Sequence, residues 1–161
     1  MDYNRVVQDL NGLTEKEFLA KIGEKFTVEE TGQNRPPQRH TFGMYLGGKW
    51  YTLTAKKGTF NPDDPVAVLD VSILQNNLLR PVLGIGDPRT DKRISFVGGI
   101  RGLKALEERV NQNNGKVAFS MFPTSMNELM KVADAHQIMP PKSTWFEPKL
   151  RSGLVIYTYD D

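Results

Sequence analysis

The chain has 161 residues, 39% of them hydrophobic, which is enough for one ordinary core and too few for two. It has no cysteine, so disulfides, thiolate catalysis and cysteine-ligated zinc are excluded; its two histidines, His40 and His136, lie far apart, so no metal site is expected. The formal charge is +2, with seven acids and four bases in residues 1–34 (net −3) and twelve acids and seventeen bases after them (net +5).

The sequence lacks the features of a membrane or exported protein. No apolar run approaches the roughly 18 residues that a membrane span requires, and the N-terminus has no basic-then-apolar signal pattern. We therefore expect one cytoplasmic domain over residues 1–161 with no membrane partner. The sequence pI of about 8.8 is too low to indicate nucleic-acid binding by itself, so nucleic acid is the least favoured partner.

The first part of the chain predicts a strand followed by a capped helix. Residues 3–8 contain two valines and are typical of a short strand, and an Asn-Gly turn follows. Thr14 and Glu17 have the spacing of a capping box, which predicts that a helix begins here. Phe18, Ile22 and Phe26, four residues apart, predict its buried stripe. The Gly- and Pro-containing residues 31–40 predict a loop.

The clearest pattern is a β-hairpin over residues 41–55. Gly47 and Gly48 separate two apolar, aromatic runs, and glycine tolerates the positive φ angles of a type I′ turn. In the next segment, Asp64 is positioned to cap a helix whose first residue is Pro65. The apolar side of that helix is predicted from its spaced aliphatic residues: Val66, Leu69, Ile73 and Leu78.

The second half alternates strand and helix patterns. Residues 84–91 predict turns, and residues 94–97 predict a short strand. The spacing of Leu103, Leu106 and Val110 predicts an amphipathic helix that stops at 113–115. Residues 117–122 predict a strand, and 154–159 predict a closing one. A second capping box, Ser125 with Glu128, predicts a helix with a buried apolar stripe of four residues: Met126, Leu129, Met130 and Ala133. The fold class predicted is α+β, a mixed β-sheet with a hairpin and about four helices packed against it.

Residues 87–102 form the first candidate anion site. Arg89, Lys92, Arg93 and Arg101 surround a short strand and the Gly98-Gly99 pair. Guanidinium groups bind phosphate bidentately, and glycine amides at a helix start bind anions. The alternative is that the two glycines only form a tight turn and the cations are solvated.

The loop 139–154 is the second candidate. It combines hydroxyl and amino groups with two aromatic residues: Lys142, Ser143, Thr144, Lys149, Trp145 and Phe146. Such groups hold phosphate while an aromatic ring stacks on a base. The alternative is that Trp145 is an anchor in a core lined by Phe119, Met121 and the closing strand, with Lys142, Ser143 and Lys149 exposed. We expect the two candidate segments to converge on one site.

Several longer segments resemble a known family. They are YNRVVQDLNGL, FGMYLGGKWY, LDVSILQ, LGIGDPRTDKRISFVGG, AFSMFPTSM and MPPKSTWFEPKLRSGL. From about Tyr3 to Leu154, the chain resembles the C-terminal half of the prokaryotic family called domain of unknown function 1015. Members look like longer proteins whose N-terminal half carries an Asp-Gly-His-His-Arg motif, similar to the phosphate-binding box of partition-protein and sulfiredoxin-like folds.

The resemblance implies nucleotide or phosphate binding, because relatives of that box include nucleotide binders and small-molecule kinases. It predicts a ligand-binding half of a phosphate- or nucleotide-handling protein, whose ligand is a nucleotide or a phosphorylated small molecule and whose partner is the missing N-terminal half. Any enzymatic role would be phosphotransfer, with this chain inactive alone; no cofactor is indicated. The alternatives are a structural module that mates with the missing half or self-associates as a homodimer, and a nucleic-acid-binding accessory.

Overall fold

The computed structural model describes residues 2–112 and 115–145. Its six strands are β1 (Tyr3–Val7), β2 (Phe26–Glu30), β3 (Thr41–Leu46), β4 (Lys49–Ala55), β5 (Ile94–Gly98) and β6 (Val117–Met121). Its four α-helices are α1 (Glu15–Ile22), α2 (Asp70–Leu74), α3 (Lys104–Asn111) and α4 (Met126–Asp134). A π-helical turn, Gln75–Leu79, continues α2, and a 3-10 turn, Gly99–Arg101, follows β5.

The strands form one sheet in the order β2-β4-β3-β6-β1-β5, and each hydrogen-bonded pair is antiparallel. The α+β class is confirmed, and within the described residues the sheet is antiparallel, where a mixed sheet was predicted. The unit β5-α3-β6 does contain two parallel strands, as its strand–helix–strand pattern predicts. However, β1 lies between them and is antiparallel to both, so no parallel pair is formed.

Two hydrophobic clusters lie on the two faces of the sheet. The larger one joins Phe42, Met44 and Phe119 to the inner residues of α1, α2 and the π-helical turn. The smaller one joins Tyr45 and Trp50 to Leu103 and Leu106 at and next to α3. Helices therefore cover both faces, and the short α2 and π-helical turn cover the face that also carries Arg5 of β1.

Several local predictions are confirmed. The hairpin β3–β4 turns at Gly47 and Gly48, whose φ angles of 57° and 82° fit a type I′ turn. The capping box of α1 is complete, since the Glu17 N–H donates to Thr14 Oγ1 and the Thr14 N–H donates to Glu17 Oε2. The box of Ser125 and Glu128 at α4 is complete in the same way.

Other predictions were wrong. Helix α1 ends at Ile22, and Phe26 is buried from the unpredicted strand β2. Asp64 accepts hydrogen bonds from the N–H groups of Val66 and Ala67, but it caps a turn, and α2 begins only at Asp70. Pairing with β4 over the whole of β2 fixes this segment as a strand, although only Phe26 of it is buried. A four-residue apolar spacing fits a longer helix as well as a helix followed by a strand.

Helix α4 buries a different face from the one predicted. Met126 and Met130 are 60% and 55% exposed, and Glu128 and Val132 are the buried residues. Glu128 is turned inwards because it completes the capping box and also pairs with Arg39, Oε1 to Nε 3.0 Å. Helix α3 ends at Asn111, just before the predicted stop at 113–115, of which 113–114 lie outside the described residues. The predicted closing strand at 154–159 also lies outside them.

Candidate anion-binding site

A cavity of about 400 Å³ lies beside β1, at the end of the sheet where β1 meets α2. Helix α2 and the π-helical turn supply one wall, with Ser72, Gln75 and Asn76 among the lining residues. The turn 86–89 supplies a second wall, and Pro140 and Pro141 supply a third. Three arginines line this cavity: Arg5, Arg80 and Arg89.

Arg5 is the innermost cation of the cavity, with 3% of its surface exposed. Its Nη2 donates to the Lys142 carbonyl at 3.0 Å, and its Nη1 donates to the Tyr3 carbonyl. No carboxylate pairs with it among residues 2–112 and 115–145. Burial lowers the pKa of Arg5 to about 10, which shows how strongly the charged form is desolvated. The Arg5 Cζ also lies 5.7 Å from the ring centroid of Phe96. A buried cation that no described carboxylate balances attracts an anion.

The loop that follows α4 is fixed against β1 by its backbone. Lys142 has a left-handed conformation, with a φ of 57°, and its carbonyl accepts from Arg5. The Thr124 hydroxyl donates to the Ser143 carbonyl at 2.8 Å. The Lys142 Nζ lies 5.9 Å from the ring centroid of Tyr3 and 5.7 Å from that of Phe96. These contacts place the two prolines before Lys142 at the cavity.

The other two arginines of the cavity differ in their partners. Arg89 forms a fork on Asp87, with Nη2 to Oδ2 2.8 Å and Nε to Oδ1 3.1 Å. This fork lowers the pKa of Asp87 to about 2. Arg80 is exposed at the C-terminal end of the π-helical turn and has no ion pair in the part of the chain that the structure describes. Arg5 and Arg80 are therefore the two cations of the cavity whose charge no described carboxylate balances.

The walls of the cavity are connected by side-chain amides. Gln75 Nε2 donates to the carbonyls of Ile85 and Gly86, at 2.7 and 3.2 Å, and so holds the turn 86–89 against the π-helical turn. Asn77, which does not line the cavity, anchors the π-helical turn on its other side, where its Nδ2 donates to the Thr59 carbonyl at 3.0 Å. A π-helical turn is uncommon and often lies at a functional site, because the extra residue redirects neighbouring side chains.

Of the four cations predicted in the first segment, only Arg89 lines the cavity. The guanidinium of Arg93 contacts Asp91 and Asp9 and donates to the carbonyls of Leu83 and Gly84, so it holds the chain at the start of β5. The Arg93 carbonyl accepts a hydrogen bond from the Gln8 N–H, just beyond the C-terminal end of β1. Lys142 lies beside Tyr3, at the N-terminal end of β1, so Arg93 and Lys142 lie at opposite ends of this strand.

Two of the remaining predicted residues are explained by close packing. A Cβ at Gly98 would lie 3.0 Å from ring atoms of Trp145, and one at Gly99 would lie 2.0 Å from Asp2 Oδ1. A side chain at Gly98 would therefore require the indole to shift by a few tenths of an ångström, and one at Gly99 would require the Asp2 carboxylate to move. Arg101 is exposed and does not line the cavity.

Within the second predicted segment, Lys142 is exposed, Ser143 is buried and Thr144 is partly exposed. The expectation that Ser143 stays exposed was wrong, because its carbonyl is held by Thr124. Trp145 is partly buried, and its ring centroid lies 5.1 Å from that of Tyr3 on β1. The closing strand of its predicted core lies outside the described residues. Lys149 and Phe146 lie outside the described residues.

The two candidate segments thus meet at one cavity, but mainly through residues that the sequence analysis did not select. Asp87, Pro88 and Arg89 come from the first segment, and Pro140 and Pro141 come from the second. Arg5 was overlooked because it lies in an apolar strand. A single arginine between Tyr3 and Val7, on the face that a strand buries, was the available signal.

A second polar cluster lies behind a cavity of about 540 Å³ that is lined by Arg39, Glu128 and Lys131 among others. Asp70, the first residue of α2, accepts from the His40 N–H at 2.8 Å. Burial, followed by the charge of Glu128, raises the pKa of Asp70 to about 7, against the opposing effects of the His40 N–H and Arg39. Burial likewise lowers the pKa of His40, whose Nε2 has no hydrogen-bond partner among the described residues.

No helix in the described ranges is long and apolar enough to cross a membrane. No group of three or more histidine, aspartate or glutamate side chains within those ranges is arranged to hold a metal ion.

Comparison with known proteins supports the resemblance in the N-terminal part of the chain. Residues 1–72 match the family model described as protein of unknown function (DUF1015). The matched range contains β1 to β4 and the first part of α2, including Arg5 and Ser72, and it is less than half of the chain. Neither the curated proteins nor the solved structures gave a match.

Proposed function

We propose that the chain is the ligand-binding part of a phosphate- or nucleotide-handling protein, and that the cavity beside Arg5 is its anion site. The observation that carries this proposal is the buried guanidinium of Arg5, which lines the cavity. Among the described residues it donates to two carbonyl groups and lies over the Phe96 ring, and no carboxylate balances its charge. An isolated buried charge is costly, and an anion with matched hydrogen bonds offsets that cost. Arg80 adds a positive charge at the exposed edge, where Arg89 is already paired with Asp87.

We also propose that the whole chain belongs to the family matched by residues 1–72 and corresponds to the C-terminal half of its longer members. The segments after residue 72 that resemble the family include the turn 86–89 and the prolines at 140–141, which line the cavity. Residues from both parts of the chain thus contribute to one cavity. This supports a single ligand site built from residues along the whole segment that resembles the family. The N-terminal half of the longer proteins would add the residues needed for phosphotransfer.

A thermal-unfolding series tests the proposed anion site. Inorganic phosphate, pyrophosphate, ADP, ATP and CTP are added to the purified chain, and any ligand at about 100 times its dissociation constant should add about 2.7 kcal/mol of stability. Arg80→Ala should remove most of this stabilisation. Arg101→Ala is the matched control, because Arg101 is also exposed and does not line the cavity.

Two outcomes would contradict the proposal. One is that none of the five anions changes the unfolding temperature; the other is that Arg101→Ala weakens binding as much as Arg80→Ala. The first result would favour the assembly module instead. Large apolar side chains that are exposed among the described residues could serve that role: Met126 and Met130 of α4, Ile138 after it, and Ile100.

A further inference from the structure

The positive charge of the cavity limits how much negative charge its ligand carries. Arg89 is already paired with Asp87 through a fork of two hydrogen bonds, so its charge is largely balanced. Arg5 and Arg80 remain, with no carboxylate partner among the described residues. A phosphomonoester carries a charge of about −1.5 to −2 at pH 7, which two guanidinium groups neutralise. A triphosphate carries more negative charge than this pair balances.

The remaining walls of the cavity indicate what is attached to the phosphate. Pro88 from one segment, Pro140 and Pro141 from another, and Val71 from α2 present aliphatic surface. Proline rings are rigid, so they keep a fixed apolar surface against which a flat ring packs without loss of side-chain entropy. The volume of about 400 Å³ lies near the lower end of the range for small-molecule pockets, which fits one ring and one phosphate.

Two amide side chains can recognise the edge of such a ring. Gln75 uses its Nε2 to hold Ile85 and Gly86, which fixes the orientation of its amide and leaves Oε1 as an acceptor. Asn76, the next residue of the π-helical turn, also lines the cavity and supplies both a donor and an acceptor. A few placed polar groups within apolar walls are the usual means by which a pocket selects its ligand.

We propose that the cavity binds one phosphomonoester group joined to a flat ring with polar edges, the chemistry of a nucleoside monophosphate. The phosphate lies against Arg5 and Arg80, and the ring packs on the prolines beside Gln75 and Asn76. This inference rests on the proposed anion site and adds the class of its ligand.

Isothermal titration calorimetry tests the inference with four kinds of probe, each titrated separately. They are inorganic phosphate, ribose 5-phosphate, the two nucleoside monophosphates AMP and UMP, and ATP. The tighter-binding of the two monophosphates should bind at least tenfold more tightly than ribose 5-phosphate, and ATP should bind no more tightly than that monophosphate. Asn76→Ala and Pro141→Ala, both at exposed positions, should each weaken monophosphate binding about three- to tenfold and leave phosphate binding unchanged. Circular dichroism verifies that both variants are folded.

The possible failures are distinguishable. If ribose 5-phosphate binds as tightly as AMP and UMP, the ring is not recognised and the inference is overturned, while Arg80-dependent phosphate binding still supports the anion site. If ATP binds more than tenfold more tightly than either monophosphate, the limit of one phosphate is overturned. If no probe binds, the inference and the proposed function both fail.

Discussion

Asp70 should make the stability of the protein fall as the pH rises from about 4 to 7. In the unfolded chain, this carboxyl has its ordinary pKa of 3.8, and in the folded protein burial raises that pKa to about 7. The unfolded state therefore loses the proton first, and the folded state retains it until about pH 7. Three units correspond to a loss on the order of 4 kcal/mol of unfolding free energy, complete above pH 7.

Urea unfolding of the wild type and of Asp70→Asn, followed between pH 5 and pH 8, measures this effect. The asparagine has no ionisable group, and its Oδ1 can still accept the hydrogen bond from the His40 N–H. About two units of the shift lie within this window, so the stability of the wild type relative to the variant should fall by about 3 kcal/mol. With a denaturant slope of about 2 kcal/mol per molar, the difference between their midpoints should change by about 1.5 M.

Because His40 also titrates, the effect of Asp70 is measured as the difference in stability between the wild type and Asp70→Asn, and not from the pH dependence of the wild type alone. Its lowered pKa means that the unfolded state binds the proton more tightly, so His40 alone makes stability rise with pH below about 6.5. The pKa of His40 is shifted by burial and by Arg39, Val68 and Glu128, all of which are present in both proteins. The contribution of His40 to the pH dependence of stability is therefore the same in the wild type and the variant, and it cancels in their difference. Asp63→Asn, at an exposed position, is the control for removing a carboxylate. A difference that does not change with pH, or that favours the wild type at higher pH, would refute the reasoning.

Three further predictions concern stability and are measured by chemical unfolding. Trp145→Ala should lower the free energy of unfolding by about 2 kcal/mol, which is below the usual range for a fully buried aromatic because the indole is partly exposed. Lys142→Ala should change it by no more than about 0.5 kcal/mol. Equal effects of the two substitutions would show that the loop is not anchored by the indole. Gly115→Ala should cost about 1–3 kcal/mol, since its Cβ would lie 2.3 Å from Val6 Cγ1, and an unchanged midpoint would mean that the chain moves aside freely. Thr14→Ala should cost about 1 kcal/mol by removing the α1 cap, and Thr14→Ser should restore most of it.

The position of the candidate site could be predicted only in part. Both selected segments reach the cavity, because turn-forming and proline-rich sequences are exposed and lie at the ends of strands. Yet Arg93, which looked equivalent to Arg89, is used to hold carbonyl groups at the start of β5. Whether an arginine binds its own chain or faces a cavity depends on the neighbours that folding brings to it, and residue type and spacing do not encode those neighbours.

Local chemistry in the sequence determined the elements whose causes are local. The glycine pair fixes the β3–β4 turn through its positive φ angles, and Thr14 and Ser125 fix the starts of α1 and α4 through hydrogen bonds three residues away. The tertiary structure alone decided that β1 lies between β5 and β6 and that Arg5 is buried beside α2. These contacts join residues about 70 to 140 positions apart, such as Arg5 and Lys142, and their free energy comes from burial that exists only once the sheet has formed.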